Sequence, residues 1–180
     1  MRLNDFMDVI GLLYHRQFEF RRGSSTEVAV LELVDDIVCA IDRKMSAGTV
    51  FLDLSKAFDT INHRILLKKL DAYGIRGTAN DLLRSYLTDR YQQVMVSGIR
   101  SSPCVIKCGV PQGSNLGPLL FLIYVNDIAR LNLKGKLRLF ADDTAISYEA
   151  SNAYELNQYM STDLQIVINY LENNLLALNL

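Results

Sequence analysis

Leu137-Arg138-Leu139-Phe140-Ala141-Asp142-Asp143-Thr144-Ala145-Ile146-Ser147 is the stretch that decides how this chain is read. Apolar residues at 137, 139, 141 and 145 flank two adjacent acids, with β-branched Thr144 and Ile146 close behind. Alternation of this kind specifies strand, tight turn, strand, with the carboxylates at the bend. Two acids at a hairpin tip repel each other and are compensated by a divalent cation, a nearby Arg, or hydration. A further acid in a matching context narrows that choice. Val50-Phe51-Leu52-Asp53-Leu54-Ser55-Lys56-Ala57-Phe58-Asp59 opens with an apolar run after Gly48 and delivers Asp53 at the end of a buried strand. Three carboxylates on two strand ends are the hard-oxygen set that Mg²⁺ takes, with phosphates and water completing its shell. Two such ions hold the attacking and leaving oxygens of an in-line phosphoryl transfer. Between the acidic segments lies Gly109-Val110-Pro111-Gln112-Gly113-Ser114, a Gly/Pro loop suited to close approach of a substrate.

In these segments the chain resembles the palm motifs of reverse transcriptases, specifically those of non-LTR (LINE-like) retrotransposons. Phe51-Leu52-Asp53-Leu54-Ser55-Lys56-Ala57-Phe58-Asp59 is similar to motif A. Gly109-Val110-Pro111-Gln112-Gly113-Ser114 with Leu116-Gly117-Pro118 is similar to motif B, and Phe140-Ala141-Asp142-Asp143 to motif C. The similarity begins near Arg2 and stops inside motif D, where Tyr170 stands for the usual Trp and Leu175 for a basic residue.

The resemblance implies an α+β polymerase palm, an antiparallel sheet carrying the acids and backed by helices, with part of the fingers. It implies an RNA-directed DNA polymerase that adds deoxynucleotides to a primer 3′-hydroxyl by two-metal phosphoryl transfer. Two Mg²⁺ ions, with Mn²⁺ as a substitute, are the implied cofactors; an RNA template, a DNA primer and deoxynucleoside triphosphates are the implied partners. Asp53, Asp142 and Asp143 become the catalytic and metal-binding acids, the first two as direct ligands and Asp143 as a supporting carboxylate. Phe58, five residues after Asp53, takes the steric-gate position that rejects a ribose 2′-hydroxyl, and Gln112 and Gly113 take nucleotide-pocket positions. A viral RNA-dependent RNA polymerase matches less well, because of Phe58 and because Ala141 stands where Gly usually precedes the paired Asp. The rival expectation is a catalytically silent retroelement fragment or a domesticated RNA-binding remnant. It arises because the basic fingers residues would precede residue 1, and the motif D lysine and thumb would follow residue 180.

Composition agrees with a globular chain: 180 residues, 49% hydrophobic and 22% charged. A net charge of −1 is not the footprint of a nucleic-acid binder, but the charge is unevenly spread. Between residues 61 and 107, Arg64, Lys68, Lys69, Arg76, Arg84, Arg90, Arg100 and Lys107 meet only Asp71, Asp81 and Asp89. Residues 147–180 hold acids and no Lys or Arg. The basic stretch is consistent with tracking a template backbone, with Arg64, Lys68, Lys69 and Arg90 as candidate nucleic-acid contacts. Cys39, Cys104 and Cys108, few and odd in number, suit a reduced compartment. Met1-Arg2-Leu3-Asn4-Asp5 does not open a signal peptide, and the apolar run 116–125, cut by Pro118, is too short to span a bilayer. An intracellular protein, nuclear and cytoplasmic rather than secreted, is expected.

Apolar spacing predicts helices over about 3–14, from a cap at Ser24, Ser25 or Thr26 to about 45, from a cap at Asn62 to 73, over 78–87, 116–130 and 153–172. In 78–87, Leu82, Leu83, Tyr86 and Leu87 are expected to face inward. Residues 91–96 and 103–107 predict a hairpin turning at Ser97-Gly98 or through Ser102. The expected organisation is 1–47 as the N-terminal helical part of fingers and palm, 48–62 as palm with motif A, 63–108 as a fingers-like basic insertion, and 109–180 as palm with motifs B and C, ending at the start of motif D. The loop from Gln17 resembles the family's Gln-x-Gly-Phe-Arg element, with Glu19 where Gly is usual. Its Arg21 and Arg22 read either as phosphate contacts or as a solvated basic loop.

Overall fold

The alternation across 136–150 becomes an antiparallel hairpin of β6 (Lys136–Phe140) and β7 (Asp143–Ala150), paired from Phe140↔Asp143 to Lys136↔Ser147. The computed structural model describes residues 3–21 and 23–179, so the candidate phosphate contact Arg22 lies outside the described residues. β1 (Ser46–Leu52) pairs with the other edge of β7, giving the order β1-β7-β6. Residues 16–18 extend the sheet past β6: the Phe18 N–H donates to the Leu139 carbonyl, and the Leu139 N–H to the Arg16 carbonyl, both at 2.9 Å. Thr144, Ile146 and Tyr148 of the central strand are buried together with Leu137 and Leu139. The 21-residue α7 (Ala153–Asn173) covers that face, and a Cβ on Gly48 would come within 3.3 Å of its Leu156 and Met160.

Arg138 alternates with Leu137 and Leu139 and so points to the other face, where α2 (Thr26–Asp42) lies. Arg138 is 3% exposed, and its guanidinium pairs closely with Asp36 and donates to Ser147 Oγ (2.8 Å) and the Glu32 carbonyl (3.1 Å). Lys136 Nζ meets Asp36 at 2.6 Å. Burial works against the Asp36 charge, but the hydrogen bonds from Lys136 and Arg138 prevail and hold its carboxyl below its ordinary value. A largely buried ion pair, Arg138–Asp36, and a partly exposed one, Lys136–Asp36, therefore tie α2 to the sheet. On the α7 side, Asp163 is 1% exposed and accepts from the Gly135 N–H at 2.9 Å. Burial, reinforced by the Asp163 charge, pushes the Tyr148 hydroxyl above the ordinary tyrosine range.

Three helix limits differ from expectation for local reasons. α1 (Leu3–Val9) stops well before Tyr14, because Gly11 turns left-handed and Asn126 takes over the following backbone. Asn126 Oδ1 accepts from the Tyr14 N–H (2.8 Å), while its Nδ2 donates to the Leu12 carbonyl (2.9 Å). α2 is capped by Ser25, whose Oγ accepts from the Val28 N–H, and ends at Asp42 because Lys44 is left-handed and β1 begins at Ser46. α6 (Gly117–Val125) gives way to a 3-10 turn, Asn126–Arg130, in place of one helix to 130.

By contacts the chain divides into two units, residues 1–55 with 125–180, and residues 56–124. The second holds α3 (Ala57–Thr60), α4 (His63–Ala72), α5 (Thr78–Leu87) and most of α6. Asn62 caps α4, its Oδ1 accepting from the Ile65 N–H at 3.1 Å. Leu82 is 70% exposed, which corrects its inward placement. The buried stripe of α5 runs through Asn80, Leu83 and Leu87, and Asn80 Nδ2 donates to the carbonyls of Leu67 and Ile75. A polar residue that satisfies two backbone acceptors takes the place the pattern gave to a leucine. Two nested ladders follow: β2 (Arg90–Gln92) with β5 (Cys104–Ile106), and inside them β3 (Met95–Val96) with β4 (Ile99–Arg100), turning at Ser97-Gly98. Cys39, Cys104 and Cys108 are exposed free thiols. Among the described residues, no helix is long and apolar enough to cross a membrane.

Candidate active site

Sheet register brings the acids together. Leu52 pairs with Thr144, so continuing that register sets Asp53 beside Asp143, and Phe140↔Asp143 closes a bend made of Ala141 and Asp142. Ala141 is left-handed at φ 49°, a conformation that costs an L-residue about 1–2 kcal/mol. Burial, then the charges of Asp142 and Asp53, push the Asp143 carboxyl above its ordinary value. Glu19 joins the group: burial, then Asp142 and Asp143, push its carboxyl up as well. Asp53 is held from its other side by Asn179, whose N–H donates to the Asp53 carbonyl (2.9 Å) and whose Nδ2 donates to Asp53 Oδ2 (2.8 Å). Arg138, four residues before Asp142, pairs with Asp36 and does not compensate this group.

Among the described residues, no three His, Cys, Asp or Glu side chains converge tightly enough to hold a metal ion. The donor chemistry suits one: carboxylate oxygens are hard ligands, and the charges of Asp142 and Asp53, which add to burial in pushing the Asp143 carboxyl up, are of the kind a divalent cation relieves. Beside the acids opens a groove of about 460 Å³, lined by Val30 and Leu33 of α2 and by Phe51, Phe140 and Ala145 of the sheet.

In the unit 56–124, Phe58 is half-buried and stacks on Phe121 with ring centroids 4.5 Å apart. The loop after β5 is laced to the same segment. The Val110 N–H donates to the Phe58 carbonyl (2.9 Å), the Gly109 N–H to the Ile61 carbonyl (2.8 Å), and His63 Nε2–H to the Gly109 carbonyl (2.6 Å). Gly109 is left-handed, and a Cβ there would sit 2.9 Å from Asp59 Cα and O. Gln112 is exposed, and its Nε2 donates to Asp59 Oδ1 at 2.8 Å; Gly113 beside it is exposed and left-handed. Asp59, to which motif A assigns no chemistry, thus orients Gln112.

Of the basic candidates, Arg64, Lys68 and Arg90 are exposed. Lys69 donates to the Tyr124 carbonyl at 2.5 Å, and its ammonium lies 4.8 Å from the centre of the Tyr124 ring, so it is engaged inside its own unit. Arg64 and Lys68 line an open groove of about 780 Å³ with Arg84 and Lys107. Arg90 lines another, of about 860 Å³, with Lys56 and Gln112.

Comparison with known proteins gives these arrangements a family. The family model described as reverse transcriptase (RNA-dependent DNA polymerase) matches residues 1–180. The chain belongs to the reverse transcriptase family. This reverse transcriptase chain is 36% identical over 178 residues to the probable RNA-directed DNA polymerase from transposon BS of Drosophila melanogaster, covering 89% of the chain and 19% of that protein. It is 34% identical over 137 residues to the RNA-directed DNA polymerase from mobile element jockey of Drosophila funebris, covering 72% of the chain and 15% of that protein. These two relatives are polymerases of non-LTR retrotransposons, of whose length the chain spans about a fifth or less. The fold is shared with apo telomerase from Candida tropicalis, at a TM-score of 0.65 and 14% identity over 86% of this chain and 31% of that one.

Gln17, Glu19 and Asn179 are the residues around the acids that the motifs do not nominate. The Glu-for-Gly departure in the Gln-x-Gly-Phe-Arg-like element is a signal for the first two. Nothing in the sequence marks Asn179.

Proposed function

We propose that the polypeptide carrying this chain is an RNA-directed DNA polymerase that adds deoxynucleotides to a primer 3′-hydroxyl. The observation that supports this reading is the register of the β1-β7-β6 sheet, which sets Asp53, Asp142 and Asp143 at the same end of it, near enough for the charges of Asp53 and Asp142 to act on Asp143. Asp53 and Asp142 would hold the metal, with Asp143 in support. When bound, two Mg²⁺ ions, or Mn²⁺ in their place, lower the pKa of the primer hydroxyl and neutralise the triphosphate and departing pyrophosphate. The chain's own part is positioning and charge, since phosphoryl transfer needs little covalent help from protein. Strand pairing sets Asp143, which opens β7, and Asp53, which follows β1 directly, while Asp142 sits in the bend between β6 and β7. Phe58, braced by Phe121, excludes a ribose 2′-hydroxyl; Gln112, oriented by Asp59, and Gly113 form the nucleotide pocket. Arg64, Lys68 and Arg90 take phosphates of the RNA template and DNA primer.

Primer extension on an RNA template with Mg²⁺, using a polypeptide that contains residues 1–180, tests the reading. DNA product is expected, and Asp142→Asn should slow its formation about a hundredfold, equivalent to roughly 3 kcal/mol of lost charge stabilisation. Undiminished synthesis by Asp142→Asn sinks the assignment, and RNA binding without synthesis favours a binding remnant. Phe58→Ala is expected to admit ribonucleotides while DNA synthesis persists. The ratio of ribonucleotide to deoxynucleotide incorporation measures this, and an unchanged ratio returns Phe58 to being a packing partner of Phe121.

A further inference from the structure

Gln17 is a polar side chain 2% exposed, in a segment whose backbone is clamped to Leu139 on both sides. Its side-chain oxygen accepts from two backbone N–H groups, that of Glu19 at 3.2 Å and that of Ala141 at 3.4 Å. Ala141 is 4% exposed and left-handed, and it is the first residue of the bend from which Asp142 projects. A buried N–H needs a partner, and a left-handed alanine persists only where its surroundings fix it. The hairpin ladder ends at Phe140↔Asp143, so the bend lies beyond the reach of strand pairing, and the Gln17 amide meets it there.

We propose that Gln17 is a positioning residue that fixes the Ala141 bend, and through it the setting of the Asp142 and Asp143 carboxylates. The same oxygen, holding the Glu19 N–H, couples the loop that carries Glu19 to that bend. For its bearing on chemistry the inference rests on the proposed function. Its structural half stands alone.

Gln17→Met keeps length and shape and removes the acceptor; Gln17→Glu restores the acceptor. Amide hydrogen exchange of Ala141 in residues 1–180 is compared with that of Ile146, in the middle of β7, so that general loss of stability cancels in the ratio. Gln17→Met is expected to raise the Ala141 rate at least tenfold relative to Ile146, and Gln17→Glu to bring it back. Mn²⁺ binding, followed by electron paramagnetic resonance, is expected to weaken several-fold in Gln17→Met. Equal acceleration of both amides, or none at Ala141, overturns the proposal and leaves Gln17 a packing residue. If Ala141 alone accelerates while Asp142→Asn leaves Mn²⁺ binding intact, the positioning role stands and the metal-site reading falls.

Discussion

Replacing Asp36 with Ala is expected to lower folding stability by about 3–5 kcal/mol, because it strands a buried charge. Arg138 would keep Ser147 Oγ, the Glu32 carbonyl and a longer approach of 3.8 Å to the Glu32 carboxylate, and would lose the carboxylate it meets most closely. Arg138→Met removes the charge but keeps most of the stem, and it leaves Asp36 paired with Lys136, a partly exposed pair worth about 0–1 kcal/mol. The shorter truncation should therefore be the costlier one. Chemical denaturation of the two variants checks this, and a greater loss in Arg138→Met would mean that packing, not charge, holds α2 to the sheet. Acid sharpens the test. The Asp36 carboxyl titrates lower in the folded chain than in the unfolded one, so its contribution is complete above the ordinary Asp value of about 3.9. That contribution is lost as pH falls through the lower folded value, and the gap between wild type and Asp36→Ala should narrow there.

Gly109→Ala is expected to cost about 2–5 kcal/mol. A left-handed backbone accounts for about 1–2 kcal/mol of this and overpacking for about 1–3 kcal/mol. The atoms a Cβ would meet at 2.9 Å are Asp59 Cα and O, main chain that cannot swing aside as a side-chain end can. Any shift pulls on the Gly109–Ile61, Val110–Phe58 and His63–Gly109 hydrogen bonds together, so Phe58 and Gln112 move with it. Gly113→Ala is the control, since Gly113 is equally left-handed but has nothing within 4 Å of the added Cβ. Thermal unfolding should show it losing only the backbone part, about 1–2 kcal/mol. Equal losses in the two variants would show that the loop does not bear on residue 59.

What the sequence makes legible follows from what its local patterns encode. The β6–β7 hairpin is plain because both strands keep a period of two on either side of a two-residue bend. The limits of α5 and the Asn62 cap are plain because propensity and capping are local. Leu82 goes astray because hydrophobicity alone cannot show that Asn80 finds two carbonyl acceptors in the turn and helix beside it. The tie between Asp36 and Arg138 joins positions 102 residues apart, with no signature at either. The acids of the site are legible through motif text, whereas Gln17 and Asn179 reach them only through strand pairing, which no periodicity records.

The placing of β7 between β1 and β6 also bears on how the chain assembles. β6 and β7 are joined by two residues and can pair at once, but Leu52 must find Thr144 across roughly ninety residues, a slow and entropically costly closure for a flexible chain. Those intervening residues include 56–124, which have helices, ladders and buried contacts of their own. Once they condense, the ends of the span are joined through a folded body, and far less chain entropy remains to be lost. The half of the sheet that bears Asp142 and Asp143 is therefore expected to form in the early, local phase of folding, and Asp53 to join it in the late one, so that the acids come together as the native chain is completed.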